Sequence, residues 1–180
     1  MSYSSKGLPG LRGSDHIGFT VPNLSEAVDF FVNVIGCEAF YELGPFASEG
    51  DWMETQLNVR RDIVMKKLRF LRCAQGPNFE IFEYDAPDQR PTPPKNSDIG
   101  GHHIAFYVDD FDRALEHLRR HGVEILGDPV VRTSGPSAGQ TWIYFLAPWG
   151  MQLELLSYPN GKGYEQDFEN KLWNPAHPED

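Results

Sequence analysis

The same pattern of apolar and polar positions occurs twice along the chain. Residues 15–21 (DHIGFTV) and 102–108 (HHIAFYV) alternate between apolar and polar or small side chains, which predicts two short, half-buried strands. Aligning the two segments places His16 over His103. Because side chains two positions apart share a face of a strand, each histidine lies beside a small residue, Gly18 or Ala105.

After each predicted strand the apolar spacing becomes helical. The first run, at positions 24, 27, 28, 31 and 35, predicts a helix that is capped by Asn23 and ends at Gly36. The second run predicts a helix between Asp110 and Gly122. Phe111, Ala114, Leu115 and Leu118 form the apolar stripe of the second helix.

Each half of the chain then adds about three strands and closes on an apolar run with one internal carboxylate. These carboxylates are Glu80, between Phe79 and Ile81, and Glu154, between Leu153 and Leu155. A duplicated unit of strand, helix and three strands predicts an α+β fold built from two tandem βαβββ modules.

The modules, the linker and the two ends of the chain differ in composition. Four prolines in an extended stretch mark the linker. We predict an N-terminal arm, a first module, a linker, a second module and a C-terminal tail at residues 1–13, 14–84, 85–100, 101–158 and 159–180. Glu80 follows His16 by 64 residues and Glu154 follows His103 by 51, so the first module carries 13 extra residues. We place them in the loop 44–62, as a lid or as a dimer contact.

Composition and charge narrow the function classes. The 180 residues include 16 basic and 26 acidic side chains, and the net charge of −10 argues against a nucleic-acid partner. The polar N-terminus lacks the apolar core of a signal peptide, and no run reaches the length of a membrane span. Cys37 and Cys73 are far apart in sequence, so we expect reduced thiols in a cytoplasmic protein.

Four residues recur at matched positions and form the candidate metal site: His16, Glu80, His103 and Glu154. An unpaired carboxylate inside an apolar strand costs several kcal/mol to bury, so it needs a cation or a face open to water. If the two module sheets curve together, the four side chains converge on one centre. Two imidazoles and two carboxylates suit a divalent ion, with Zn, Ni, Co, Mn and Fe all compatible.

Other side chains are in phase with these ligands and are expected to line the pocket: Thr20, Phe82, Tyr84, Tyr107, Leu156 and Tyr158. Hydroxyls and aromatic faces suit a small oxygenated ligand. Arg69 and Arg72 lie on opposite faces of one predicted strand, and an inward arginine would favour a substrate carboxylate or phosphate. His102 is out of phase with His16, so we assign it a supporting or structural role.

The duplicated motifs, together with LELLSY at 153–158, resemble the vicinal oxygen chelate superfamily over about residues 14–158. That group includes glyoxalase I, methylmalonyl-CoA epimerase, extradiol dioxygenases, and fosfomycin- and bleomycin-resistance proteins. The resemblance implies paired βαβββ modules that form a curved sheet around one divalent metal ion per chain, with the family's ligand positions at His16, Glu80, His103 and Glu154. The His/Glu/His/Glu set is most similar to that of glyoxalase I.

The resemblance also implies a reaction class, namely proton transfer at a carbon next to a metal-bound carbonyl. The expected activity is that of an epimerase, an isomerase or a glyoxalase-like lyase acting on a small oxygenated substrate such as a cyclic keto-sugar. Either glutamate could be the catalytic base, and we favour Glu154 over Glu80. An iron-dependent extradiol dioxygenase and a non-catalytic drug-binding protein are the alternatives. Family members usually work as dimers, so we expect a homodimer.

Overall fold

The computed structural model describes residues 7–179 and contains the two predicted modules. The first has β1 His16–Thr20, α1 Leu24–Asp29 continuing as a π-helix Phe30–Ile35, β2 Glu38–Leu43, α2 Trp52–Leu57, β3 Val64–Arg72 and β4 Asn78–Asp85. The second has β5 Ile104–Tyr107, α3 Phe111–Arg120, β6 Glu124–Val131, β7 Thr141–Leu146 and β8 Gln152–Ser157, followed by a 3₁₀ turn Gly163–Gln166.

Both modules have the same sheet topology. The strand orders are β1-β4-β3-β2 and β5-β8-β7-β6, with the first pair parallel and the other pairs antiparallel. The predicted α+β fold of two tandem βαβββ modules is therefore confirmed. The eight strands form two separate four-stranded sheets rather than one continuous curved sheet. Consequently β1 and β5, the strands that begin at or next to the histidines, are each an edge of their own sheet.

Side-chain caps position both helices, and the first of them, Asn23, was predicted. The side chain of Asn23 accepts a hydrogen bond from the Glu26 N–H at 3.0 Å, and Asp110 accepts one from the Arg113 N–H at 3.0 Å. Each cap satisfies a backbone donor that the first helical turn leaves without a partner. The first helix ends at Gly36, whose φ of 93° is a left-handed conformation that favours glycine.

The apolar faces of the two modules share one core. The ring of Phe79 in β4 lies 6.2 Å from that of Phe106 in β5, and Trp149 packs on Phe30 and Phe31 with ring centroids 5.9 and 5.8 Å apart. Because side chains alternate along a strand, the residues between these core positions leave each sheet on the opposite face. That outer face carries the candidate metal ligands.

A disulfide joins Cys37 and Cys73, so the expectation of reduced thiols is wrong. The two cysteines flank Glu38 and Arg72, which are paired in the antiparallel register of β2 and β3. The loop 44–62 turns the chain back and brings the two strand ends together, with the cysteine Cα atoms 4.2 Å apart. Their separation of 36 residues hides this proximity in the sequence.

The ends of the chain differ in how they contact the modules. Residues 1–6 of the predicted N-terminal arm lie outside the described residues, and residues 7–13 are exposed. In the C-terminal tail, the N–H of Gly163 donates to the Ala138 carbonyl at 3.0 Å and that of Tyr164 donates to the Pro136 carbonyl at 2.9 Å. Between residues 7 and 179, no helix combines the length and apolarity that crossing a bilayer requires.

Candidate metal centre

The first pair of predicted ligands, His16 and Glu80, lies on adjacent strands. In the parallel register of β1 and β4, Gly18 is opposite Glu80, and its missing side chain leaves space for the carboxylate. A Cβ at Gly18 would lie 3.7 Å from Glu80 Oε2. The His16 Nε2 and Glu80 Oε2 atoms are 3.3 Å apart, and the other ring nitrogen of His16 lies 2.8 Å from Asp15 Oδ2.

The second pair, His103 and Glu154, repeats this arrangement. Ala105 is opposite Glu154 in the parallel register of β5 and β8 and again leaves room on the outer face. His103 Nε2 lies 2.9 Å from Glu154 Oε2. The Nδ1 atom of His103 is 3.4 Å from the side-chain oxygen of Asn96, a linker residue that no sequence pattern indicated.

The partners of the two Nδ1 atoms determine what the Nε2 atoms can do. Asp15 and Asn96 present oxygen acceptors, so Nδ1–H donates in each case. Each Nε2 then carries a lone pair that points at a carboxylate oxygen of Glu80 or Glu154. Two lone pairs at such distances require a proton or a metal cation between them. A carboxylate behind a metal-binding histidine is a recurrent arrangement in metal sites.

The distances fit a shared metal ion. Imidazole nitrogens and carboxylate oxygens bind divalent ions such as Zn²⁺ at about 2.0–2.2 Å, so two ligand atoms at right angles are about 3 Å apart. The observed separations of 3.3 and 2.9 Å match this spacing. Each pair therefore has the geometry of two neighbouring positions in one coordination sphere.

The structure does not bring the four residues together in one chain. In the part of the chain that the structure describes, no group of three or more His, Cys, Asp or Glu side chains could hold a metal ion. The expected convergence on one centre within a chain is therefore not found. The reason is the shared core, because this core lies on the apolar faces of the two sheets and the candidate ligands lie on the opposite faces.

Comparison with known proteins identifies the family. The family model of the glyoxalase/bleomycin resistance protein/dioxygenase superfamily matches residues 15–145. The chain belongs to this superfamily. It is 47% identical over 173 residues to a 2-epi-5-epi-valiolone epimerase from Actinomyces sp., covering 96% of this chain and 93% of that protein. The predicted membership of the vicinal oxygen chelate superfamily is confirmed. The prediction of a superfamily enzyme of the epimerase and isomerase type is confirmed as well.

Two solved structures share the fold. A glyoxalase family protein from Bacillus cereus has a TM-score of 0.64 and 20% identity, covering 86% of this chain and 97% of that one. The fosfomycin resistance protein FosX from Listeria monocytogenes, complexed with Mn(II) and sulfate, has a TM-score of 0.53 and 21% identity, covering 88% of this chain and 99% of that one. At these identities the likeness concerns the superfamily fold alone.

Aromatic side chains surround both ligand pairs of this superfamily member. The predicted lining residues Phe82 and Tyr84 stack with ring centroids 5.6 Å apart, and Tyr107 lies 4.8 Å from Tyr158. Tyr144 was not singled out from the sequence, yet it is opposite Glu154 in the register and its ring is 5.1 Å from that of His103. Side-chain alternation along β7 places it on the face of Glu154, and that phase was the signal for it.

The structure also shows on which face of β3 Arg69 and Arg72 each lie. Arg69 is opposite Ile81, on the core side of the sheet, where it lies 3.6 Å from Glu42. Arg72 continues the outer face of Phe70, and its Nε donates to the Ala74 carbonyl at 3.2 Å. Arg72 is therefore the arginine on the ligand face.

The remaining predicted side chain, His102, stays outside both ligand pairs. Its Nδ1 lies 3.0 Å from the Gly100 carbonyl oxygen, and the residue is exposed. This contact is with the local backbone, as a structural role requires.

The carboxylates of Glu80 and Glu154 differ in how deeply they are buried. The Glu80 side chain is 21% exposed, whereas that of Glu154 is 10% exposed. Burial raises the pKa of Glu154 above its ordinary value, and the contact with His103 and the charge of Lys162 oppose the rise. A buried carboxylate with a raised pKa is a suitable proton acceptor near neutral pH. For His16, the hydrogen bond to Asp15 raises the pKa of the imidazole.

Proposed function

We propose that this protein is a divalent-metal-dependent epimerase of a cyclic, polyhydroxylated ketone, with 2-epi-5-epi-valiolone as the first substrate to test. The observation that carries the proposal is the 47% identity to a 2-epi-5-epi-valiolone epimerase along nearly the whole of both chains. The two histidine–glutamate pairs and the hydroxyl and aromatic side chains around them suit such a ligand.

The active unit is a homodimer with two shared metal sites. His16 and Glu80 of one protomer face His103 and Glu154 of the partner subunit, and two-fold symmetry makes the second site from the remaining pairs. The free edges of β1 and β5 support this arrangement, since an unpaired strand edge is a ready docking surface. The FosX structure with the same fold contains Mn(II), which supports a divalent ion in the site.

Different residues of the chain have different roles in the proposed proton transfer. Glu154 accepts the proton from one face of the carbon next to the substrate carbonyl and releases it to solvent, and a solvent-derived proton adds to the opposite face of that carbon, so no oxidant or reductant is needed. A divalent ion in the site supplies Lewis acidity for the carbonyl oxygen. Asp15 and Asn96 hold the imidazoles in the tautomer that leaves Nε2 free.

Solvent deuterium tests the reaction. Incubating 2-epi-5-epi-valiolone with the metal-loaded protein in D₂O without oxygen should yield an epimer that carries deuterium at the inverted carbon. A chelator should stop the exchange, and adding back a divalent ion should restore it. Turnover that depends strictly on dioxygen and incorporates no deuterium would support the dioxygenase alternative instead.

Complementation tests the shared site. His16→Ala and His103→Ala homodimers should each lose metal and activity, because each variant damages both sites. An equal mixture refolded together should recover about one quarter of the wild-type activity, since half of the dimers would carry one intact site. If the sites were formed within single chains, the mixture would be as inactive as its components.

A further inference from the structure

We propose that Lys162, in the tail after β8, is a substrate-binding residue whose ammonium donates a hydrogen bond to an oxygen of the substrate next to the reacting carbon. The inference rests on the proposed function. It adds to the ligand pairs a cationic residue that the sequence did not single out.

Lys162 lies on the same side of the second sheet as Glu154. Its Nζ is 4.1 Å from the centroid of the Tyr158 ring, and that ring is 4.8 Å from the ring of Tyr107. Both tyrosines were predicted to line the pocket. The carboxylate of Glu154 is near enough for its charge and that of Lys162 to influence each other. The ammonium is therefore close to the residue proposed to move the proton.

The backbone around Lys162 is fixed by unusually close contacts. The N–H of Gly163 donates to the Ala138 carbonyl, and the N–H of Lys162 donates to Glu165 Oε1 at 2.7 Å. A Cβ at Gly163 would lie 2.5 Å from the Gly135 carbonyl oxygen, and one at Gly139 would lie 2.7 Å from that of Gly161. Only glycine fits on either side of this approach, so the segments 135–139 and 161–165 hold Lys162 in one place.

The contacts of the ammonium suit a ligand better than a structural ion pair. In the region that the structure describes, its contact is the face of Tyr158 and it forms no ion pair. Burial lowers the pKa of Lys162, and the charges of Glu154 and Glu165 oppose the change. A half-buried lysine without a contacting anion retains three donors for the hydroxyl and carbonyl oxygens of a substrate.

The position also suits the charge that the reaction creates. When Glu154 takes the proton, negative charge develops on the substrate oxygen beside the reacting carbon. A fixed positive group near that oxygen stabilises the transition state more than the ground state, and removing one such donor typically costs about 10²–10³-fold in rate. Lys162 can provide this stabilisation because its backbone does not need to move.

The test compares Lys162→Met with Lys171→Met in the metal-loaded dimer. Lys162→Met keeps the apolar stem on Tyr158 and removes the charge, so kcat and the rate of deuterium exchange should fall about 10²-fold while metal content and Tm stay unchanged. Lys171 belongs to the same tail and pairs with Glu165 at 3.0 Å. Its replacement removes the same charge and should change the exchange rate less than about threefold.

Chemical rescue separates a binding role from a structural one. In Lys162→Ala, ethylammonium should restore part of the deuterium exchange with saturation, because the small cation can occupy the vacated position. No rescue, or equal rates for Lys162→Met and Lys171→Met, would overturn the inference while leaving the epimerase proposal intact. Failure of the wild-type protein to exchange deuterium at all would instead overturn the proposed function.

Discussion

The two ligand pairs differ although the modules are repeats. In the first module His16 and Glu80 are 3.3 Å apart, and a carboxylate, Asp15, backs the histidine. In the second module His103 and Glu154 are 2.9 Å apart, and a neutral amide backs the histidine at 3.4 Å. The first pair thus carries one more negative charge, whereas the second carboxylate is the more buried of the two.

This difference supports our proposal that the two glutamates have separate roles. An extra carboxylate behind His16 strengthens the imidazole as a metal ligand. Burial, which raises the pKa of Glu154, favours a group that takes up and releases a proton. We therefore interpret the first pair as the anchor of the metal ion and the second as the source of the catalytic base.

The largest expected effect comes from replacing each of the two glutamates with glutamine in separate variants. Glu154→Gln should retain most of the metal and lower deuterium exchange by about 10²–10⁴-fold, because the amide cannot accept the proton. Glu80→Gln should mainly weaken metal binding, and activity should return at high metal concentration. Exchange rates measured across a metal titration separate these outcomes. Equal loss of exchange in both variants at saturating metal would contradict the assignment of the base.

A second difference between the modules is the disulfide. Cys37 and Cys73 join β2 to β3, while the equivalent positions in the second module are Val123 and Ala147. Cys37→Ser should lower the free energy of unfolding by about 2–4 kcal/mol in non-reducing buffer, because the cross-link restricts the unfolded chain. Denaturation monitored with and without reductant checks this. In reductant, the wild-type protein should have the same free energy of unfolding as the variant. A wild-type free energy of unfolding that is unchanged by reductant would count against the prediction.

The repeat made most of the fold predictable. Alternation in β1 and β5 and the helical spacing after them predicted the first elements of each module. The matched positions of Glu80 and Glu154 predicted the carboxylates that lie beside the histidines. The sequence could not give the way in which the modules pack. Period-two alternation tells which side chains share a face, but it does not tell whether two such faces meet each other or lie on opposite sides of a core.

The remaining misses have a common physical origin. Asn96, Lys162 and the pairing of Cys37 with Cys73 all depend on irregular segments that bring distant residues together. No periodicity describes such segments, so their side chains could not be placed from the sequence. Tyr144 is different, because it lies opposite Glu154 on a regular strand, β7, where side-chain alternation could have found it.

Replacing the residues behind the histidines sharpens the comparison of the two pairs. Asp15→Asn should weaken metal affinity by about 10- to 100-fold, because the imidazole loses a charged partner that orients it. Asn96→Ala should have a smaller effect, since its contact with His103 is longer and neutral. Competition with a chelator of known affinity measures both constants. A larger loss for Asn96→Ala would reverse the roles assigned to the pairs.

The smallest expected effect concerns how each helix is attached to its sheet. Glu83 accepts a hydrogen bond from the Leu24 N–H at 2.8 Å and pairs with Lys66, whereas the equivalent position in the second module is Ser157. Burial acts to raise the pKa of Glu83, but the hydrogen bond from Leu24 and the charge of Lys66 outweigh it and hold the pKa below its ordinary value. The helix of the first module is therefore attached by an ionised group.

A carboxylate with a depressed folded-state pKa stabilises the protein above its unfolded pKa, and this contribution is lost as the pH falls through the folded value. Glu83→Gln should therefore be less stable than wild type by about 1 kcal/mol near neutral pH. That difference should shrink below about pH 4.3, the ordinary glutamate value. Ser157→Ala, the matched change in the second module, should show a difference that does not vary with pH. Denaturant titrations of both variants across this range measure the effect, and a constant deficit for Glu83→Gln would mean that its carboxylate contributes packing rather than charge.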